Sequence, residues 1–129
     1  MNAPAAKPAP PLAEVIARLA ALHPVRIDLS LERMHRVLER LGHPERRLPP
    51  VIHVAGTNGK GSTVAYLRGI LEAAGHRVHV FTSPYLVRVN ECFRLGRPGG
   101  GMLVGDEELR AALERCEAAN GGAPLTVFE

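Results

Sequence analysis

Residues 51–63 read Val51-Ile52-His53-Val54-Ala55-Gly56-Thr57-Asn58-Gly59-Lys60-Gly61-Ser62-Thr63, and the pattern changes halfway along this run. The first five are apolar and β-branched, the pattern of a buried strand. The glycines that follow are turn residues. Behind them Val64, Leu67, Ile70, Leu71 and Ala74 recur at helical spacing, with Gly75 as the stop. Residues 77–82 read as a second strand. Strand, glycine loop, helix and strand form a βαβ unit, which predicts an α/β fold with a parallel sheet.

Working towards the N-terminus, residues 45–50 are polar and proline-rich, hence a loop. Met34, Val37, Leu38 and Leu41 form an apolar helical stripe, opened by Ser30 as N-cap and closed by Gly42. Leu12, Val15, Ile16, Leu19 and Leu22 mark an earlier helix that His23-Pro24 ends. Residues 25–29 connect the two. Residues 1–11 form an Ala/Pro-rich tail, predicted to be disordered and outside the fold.

Towards the C-terminus, a strand is expected around Cys92 to Leu95, then a glycine-rich turn region over residues 96–105. Asp106 is expected to cap a helix whose Leu109, Ala112, Leu113 and Cys116 face inward, ending at Asn120-Gly121-Gly122. Leu125-Thr126-Val127-Phe128-Glu129 reads as the first turn or strand of something longer. The expectation is therefore a front portion of a larger protein, with residues 12–129 forming part of one domain.

Composition removes several function classes. The chain has 129 residues, 46% hydrophobic and 22% charged, as in one ordinary globular domain. No apolar run approaches the roughly 18 residues of a membrane span, and the start has no signal-peptide h-region. Cys92 and Cys116 stand outside any C-x-x-C spacing and read as packing thiols of a reducing, cytoplasmic compartment. With a net charge of +3 and only 4% aromatics, platforms for stacking nucleic-acid bases are poorly supplied. Neither nucleic acid nor membrane is expected as a partner. Of the 16 basic residues only Lys7 and Lys60 are lysine. Lys60 therefore stands out in a chain that otherwise writes positive charge as Arg.

The loop around Lys60 has the chemistry of a phosphate site. A helix N-terminus presents unpaired N–H groups and a partial positive charge. Gly56, Gly59 and Gly61 let backbone approach an anion closely, a lysine reaches terminal phosphates, and Ser62 or Thr63 offers a hydroxyl to magnesium or phosphate. The common pattern G-x-x-x-x-G-K-[ST] is not met in full: Val54 stands at its first glycine and Gly61 at its hydroxyl position. The bland alternative is a glycine-rich turn with an incidental lysine.

The form Gly56-Thr57-Asn58-Gly59-Lys60-Gly61-Ser62 resembles the loop of the bifunctional dihydrofolate synthase/folylpolyglutamate synthase family, relatives of the Mur ligases, in its glycine-then-serine version. Three further segments are similar to that family in the right order. Ile27-Asp28-Leu29-Ser30-Leu31-Glu32-Arg33 resembles its I-D-L-G-L-x-R segment, with Ser30 for Gly. Thr82-Ser83-Pro84-Tyr85-Leu86-Val87-Arg88 resembles S-P-H-L-V-R, with Tyr85 for His. Leu125-Thr126-Val127-Phe128-Glu129 resembles L-T-x-F-E. Cys92 departs from the Arg expected after Glu91.

The resemblance implies a P-loop, ATP-binding domain of Mur ligase type, of which residues 12–129 are the N-terminal part, and an ATP- and magnesium-dependent ligase. Such an enzyme joins L-glutamate to dihydropteroate or to a folate through an acyl phosphate. It implies that Thr57, Asn58, Gly59, Lys60, Gly61 and Ser62 hold the nucleotide, with Lys60 catalytic. It implies Ser83 as a magnesium ligand, and Asp28, Leu29, Ser30, Thr126, Val127, Phe128 and Glu129 as pterin contacts. The partners are small molecules, and the complete enzyme is expected to be monomeric. The family's other metal ligands and second domain would lie past Glu129. Two other readings stay open: a stand-alone P-loop nucleotide-binding or phosphotransfer module, and a non-catalytic truncated product.

Overall fold

A computed structural model describes residues 10–23, 30–126 and 129. Most of the predicted Ala/Pro tail and the connector 25–29 lie outside them. The chain divides into two compact units, Met1–Arg47 with Arg110–Glu129, and Leu48–Leu109.

The first unit is helical. It contains α1 (Leu12–Ala20), α2 (Glu32–Arg40), a 3-10 turn (Pro44–Arg47) overlapping the expected loop, and most of α4 (Asp106–Asn120). The apolar stripes follow the expected spacing. Val15 is fully enclosed and Val37 is buried, while Leu12, Ile16, Leu19, Met34 and Leu38 are half-buried around them. Ser30 is not the N-cap of α2: Leu31 occupies that position, and its carbonyl accepts the His35 N–H at 2.9 Å. At the other end the Gly42 N–H donates to the Glu39 carbonyl at 2.9 Å and the His43 N–H to the Leu38 carbonyl at 2.8 Å. These two bonds form a Schellman closure. The helix Lys60–Ala73 of the other unit ends in the same way at Gly75-His76.

Arginines fasten this unit. Arg18 meets Glu117 with two parallel bonds, Nε to Oε1 at 2.8 Å and Nη2 to Oε2 at 2.7 Å. From α2, the Arg40 Nη1 donates to the Ala119 and Asn120 carbonyls at 3.1 and 2.9 Å, so a cation satisfies the end of α4. Asn120 is fully buried. Its Oδ1 accepts from Arg36 Nη2 at 3.2 Å, and its Nδ2 donates to the Ala123 carbonyl at 2.6 Å. Leu125, also buried, donates its N–H to the Leu22 carbonyl at 3.1 Å.

The second unit holds α3 (Lys60–Ala73) and a three-stranded sheet of order β1-β2-β3, with β1 (Val80–Phe81), β2 (Phe93–Leu95) and β3 (Met102–Leu103). Both pairings are antiparallel, Val80 opposite Arg94 and Arg94 opposite Leu103. The strand expected near Cys92 to Leu95 is present. The parallel pairing expected of a βαβ unit is not found among the described residues: 51–55 join no ladder, and only two residues of 77–82 pair. The physical reason is a missing neighbour. Among the described residues no strand pairs with this run, and Val51 and Ile52 are 71% and 60% exposed, so its strand propensity goes unrealised.

α3 shows the same effect. Val64, Leu67 and Leu71 are half-buried, but Ile70 and Ala74, expected on the buried face, are exposed. The unit's buried residues sit instead around the sheet: Asn90, Cys92, Val104 and Leu109. Asp106 is the first residue of α4 and not its cap, because the helix opens with the Leu109 N–H on the Gly105 carbonyl at 3.0 Å.

Candidate functional site

The loop of residues 56–59 runs into α3 as expected, and Lys60 is the helix's first residue. Gly59 holds the N-cap position at φ +76°, a left-handed conformation that a side chain would strain. No side chain caps the helix, and its first turn carries no acid. The N–H groups there lack intrahelical partners by construction, so the terminus presents donors and partial positive charge to solvent. Lys60 bends back onto its own loop, its Nζ donating to the Gly56 carbonyl at 2.6 Å and the Thr57 carbonyl at 3.1 Å. The ammonium is thereby held over the loop. The Thr63 hydroxyl donates to the Gly59 carbonyl at 3.0 Å, whereas the exposed Ser62 makes no side-chain hydrogen bond among the described residues. Of the two candidate hydroxyls, Ser62 is the unengaged one.

In the same unit, Ser83 is exposed and follows β1, at the start of a loop that closes in a 3-10 turn, Val89–Cys92. Glu91 organises that loop. Its Oε2 accepts the Leu86 N–H at 2.9 Å, and its Oε1 accepts those of Val87 and Arg88 at 3.1 and 2.8 Å. The backbone bonds from Leu86 and Arg88 hold its carboxyl below the usual carboxylate range. Arg88 Nη2 meets Asp106 at 2.6 and 2.9 Å, and Asn90 Nδ2 bridges the Val104 carbonyl and Asp106 Oδ1, both at 3.0 Å. Cys92 is buried, and burial pushes its thiol up, as expected of a packing residue.

The residues expected to contact a pterin belong to the other unit. Asp28, Leu29, Val127 and Phe128 lie outside the described residues. Ser30 is half-buried just before α2. Thr126 and Glu129 close a small ring: the Thr126 N–H donates to Glu129 Oε2 at 2.7 Å, and the Glu129 N–H donates to Thr126 Oγ1 at 3.3 Å. Arg33 Nε donates to both Glu129 oxygens, at 3.0 and 3.1 Å, with both side chains only 12% exposed. Two segments assigned separately to one substrate are thus tied together. Burial raises the Glu129 pKa, but Arg33 and Thr126 outweigh it and hold the carboxyl low. Sequence reasoning assigned no role to Arg33 or Glu91. The signal for Glu91 was the Arg88-x-x-Glu91 spacing, in which the fourth residue's carboxylate reaches back to the first N–H.

Helices with a small antiparallel sheet define an α/β chain, and its glycine-led loop ends at an uncapped helix terminus with a lysine folded over it. No known family model matches the chain. The dihydrofolate synthase/folylpolyglutamate synthase of Escherichia coli strain K12 is 43% identical over 121 residues, 94% of this chain and 28% of that protein. Among solved structures, Escherichia coli FolC in complex with DHPP and ADP aligns at a TM-score of 0.75 with 40% identity, over 95% of this chain and 29% of that one. A bifunctional folylpolyglutamate synthase/dihydrofolate synthase with Mn, AMPPNP and L-glutamate bound aligns at 0.68 with 40% identity, over 94% of this chain and 28% of that one. The chain belongs to the dihydrofolate synthase/folylpolyglutamate synthase family. It spans less than a third of the length of these relatives.

Proposed function

We propose that this chain supplies the nucleotide loop and first substrate segments of an ATP-dependent ligase that joins L-glutamate to dihydropteroate, to a folate, or to both. The observation that carries this reading is the Gly56–Ser62 loop: an uncapped helix N-terminus with Lys60 Nζ held above it on the Gly56 and Thr57 carbonyls. Relatives at 40–43% identity are named for this synthesis, and one is solved with ADP.

The chemistry asks for such a loop. A carboxylate is a poor electrophile, so its oxygen first attacks the γ-phosphorus of ATP and ADP leaves. The glutamate amine then attacks the acyl phosphate carbon and phosphate leaves. Two anions must be brought together, which calls for positive charge and fixed donors. In this reading Lys60 leaves its carbonyl partners to neutralise the β- and γ-phosphates, while N–H groups from Asn58 to Ser62 and the free Ser62 hydroxyl cradle them. Thr57, Gly59 and Gly61 shape the loop. A compact ammonium fits there better than a planar guanidinium.

A divalent ion fits the donors present. Ser83 and Ser62 are exposed hydroxyl oxygens, the hard donors magnesium prefers. No group of three or more His, Cys, Asp or Glu able to hold a metal occurs among the described residues, so Ser83 would share the ion with nucleotide phosphates. When bound, that ion would neutralise phosphate charge. Asp28, Leu29, Ser30 and the Thr126–Glu129 segment would position the pterin, with Glu129 engaged by Arg33 and not by ligand. The reading includes a parallel sheet of Mur ligase type built on 51–55 and β1, and a monomeric cytoplasmic enzyme. Among the described residues, no helix is long and apolar enough to cross a membrane.

The test is Lys60→Ala in a polypeptide spanning the relatives' full length. ATP-, dihydropteroate- and glutamate-dependent amide formation should disappear. Near-normal turnover would remove Lys60 from the mechanism.

A further inference from the structure

The loop from Ser83 to Arg88 has an unusual basis for its shape. Tyr85, Leu86 and Val87 are 51%, 91% and 81% exposed, so apolar burial does not specify its path. What holds it is polar. Three successive backbone N–H groups, those of Leu86, Val87 and Arg88, converge on the Glu91 carboxylate at 2.8–3.1 Å. Arg88 is anchored in turn on Asp106 at 2.6 Å. Below the loop, Asn90 is buried, and the Thr82 N–H donates to the Cys92 carbonyl at 3.0 Å. One carboxylate thus gathers the far side of a loop whose near side begins at Ser83.

We propose that Glu91 is a positioning residue: by accepting these three N–H groups it presets the loop and so presents Ser83 to a metal–nucleotide. This rests on the reading above that Ser83 meets that complex. Charge-assisted bonds to backbone N–H groups are short and strong, and an ionised carboxylate accepts all three. An amide in its place has one acceptor oxygen, and its NH2 faces N–H groups that cannot accept. A preset loop removes an ordering cost that binding would otherwise carry.

Glu91→Gln, Glu91→Asp and Ser83→Ala in the 129-residue chain separate the possibilities. Hydrogen exchange over residues 85–88 reads the clamp, exchange over α3 reads the fold, and titration with Mn2+ and AMPPNP reads the site. We expect Glu91→Gln to speed exchange at 85–88 and weaken Mn2+–AMPPNP binding roughly tenfold. Glu91→Asp should retain part of both, α3 should be unaffected, and adding Ser83→Ala to Glu91→Gln should cause little further loss. Unchanged exchange at 85–88 would overturn the clamp. Faster exchange with unchanged affinity, where Ser83→Ala alone weakens binding, would overturn the positioning role. Should Ser83→Ala leave affinity intact, the reading of Ser83 fails, and the positioning role fails with it. If Glu91→Gln speeds exchange over α3 as well, Glu91→Asp decides: wild-type exchange at 85–88 with weakened binding contradicts the proposal.

Discussion

At the scale of single residues, the most constrained polar group is Asn120. It is fully buried at the end of α4, with its carbonyl oxygen on Arg36 and its amide on the Ala123 carbonyl. Leucine has similar bulk but none of these bonds, so Arg36 Nη2 keeps only the Pro124 carbonyl and the Ala123 carbonyl loses its side-chain donor. Asn120→Leu should cost about 1–3 kcal/mol, measured as a lower urea midpoint at unchanged slope. Lys60 is the opposite case. It is exposed and its two partners are carbonyls of its own loop. Its bonds stay within the loop and join it to no other element, so the proposed role of Lys60 rests on what the loop binds.

At the scale of elements, two carboxylate–arginine pairs link segments distant in sequence: Glu117 on α4 with Arg18 on α1, and Glu129 with Arg33 on α2. Arg18 holds the Glu117 carboxyl low, and Arg33 and Thr126 do so for Glu129 against the effect of burial. A carboxylate with a lowered folded pKa binds fewer protons folded than unfolded. Its contribution is therefore present above the ordinary value of 4.5 and is lost as pH falls through the lowered values. Melting temperature should hold to about pH 5 and then fall. Glu129→Gln should lower the plateau and flatten the acid limb; an acid limb identical to wild type would show that the pair contributes nothing. The helices were legible beforehand, because amphipathic stripes such as Val15 with Leu19 and Val37 with Leu41 report local periodicity. Strand 51–55 was not realised, because a strand requires a partner and periodicity cannot say whether one is at hand. The Arg33–Glu129 tie depends on long-range contact, which composition and spacing do not encode. For the Glu91 clamp the Arg88-x-x-Glu91 spacing marks the bond to Arg88, but the bonds from Leu86 and Val87 depend on how the loop closes. The glycine loop was legible because its chemistry is contiguous.

At the scale of the whole molecule, the chain spans 28% of its Escherichia coli relative, so what it binds and what it catalyses separate. Its own loop contains the uncapped helix terminus and the lysine that the proposed nucleotide site would use. The 129-residue chain on its own should form no amide bond from dihydropteroate, ATP and glutamate, as read by chromatography of the products; detectable ligation would show that these segments suffice. The central claim is that the Gly56–Ser62 loop is a nucleotide site with Lys60 as its cation. Calorimetric titration of the wild-type chain, Lys60→Ala and Lys60→Arg with ATP and magnesium tests it most directly. The account predicts saturable binding by wild type, about tenfold or greater weakening in Lys60→Ala, and little recovery in Lys60→Arg. Equal binding by all three, or none by a folded wild-type chain, would contradict it.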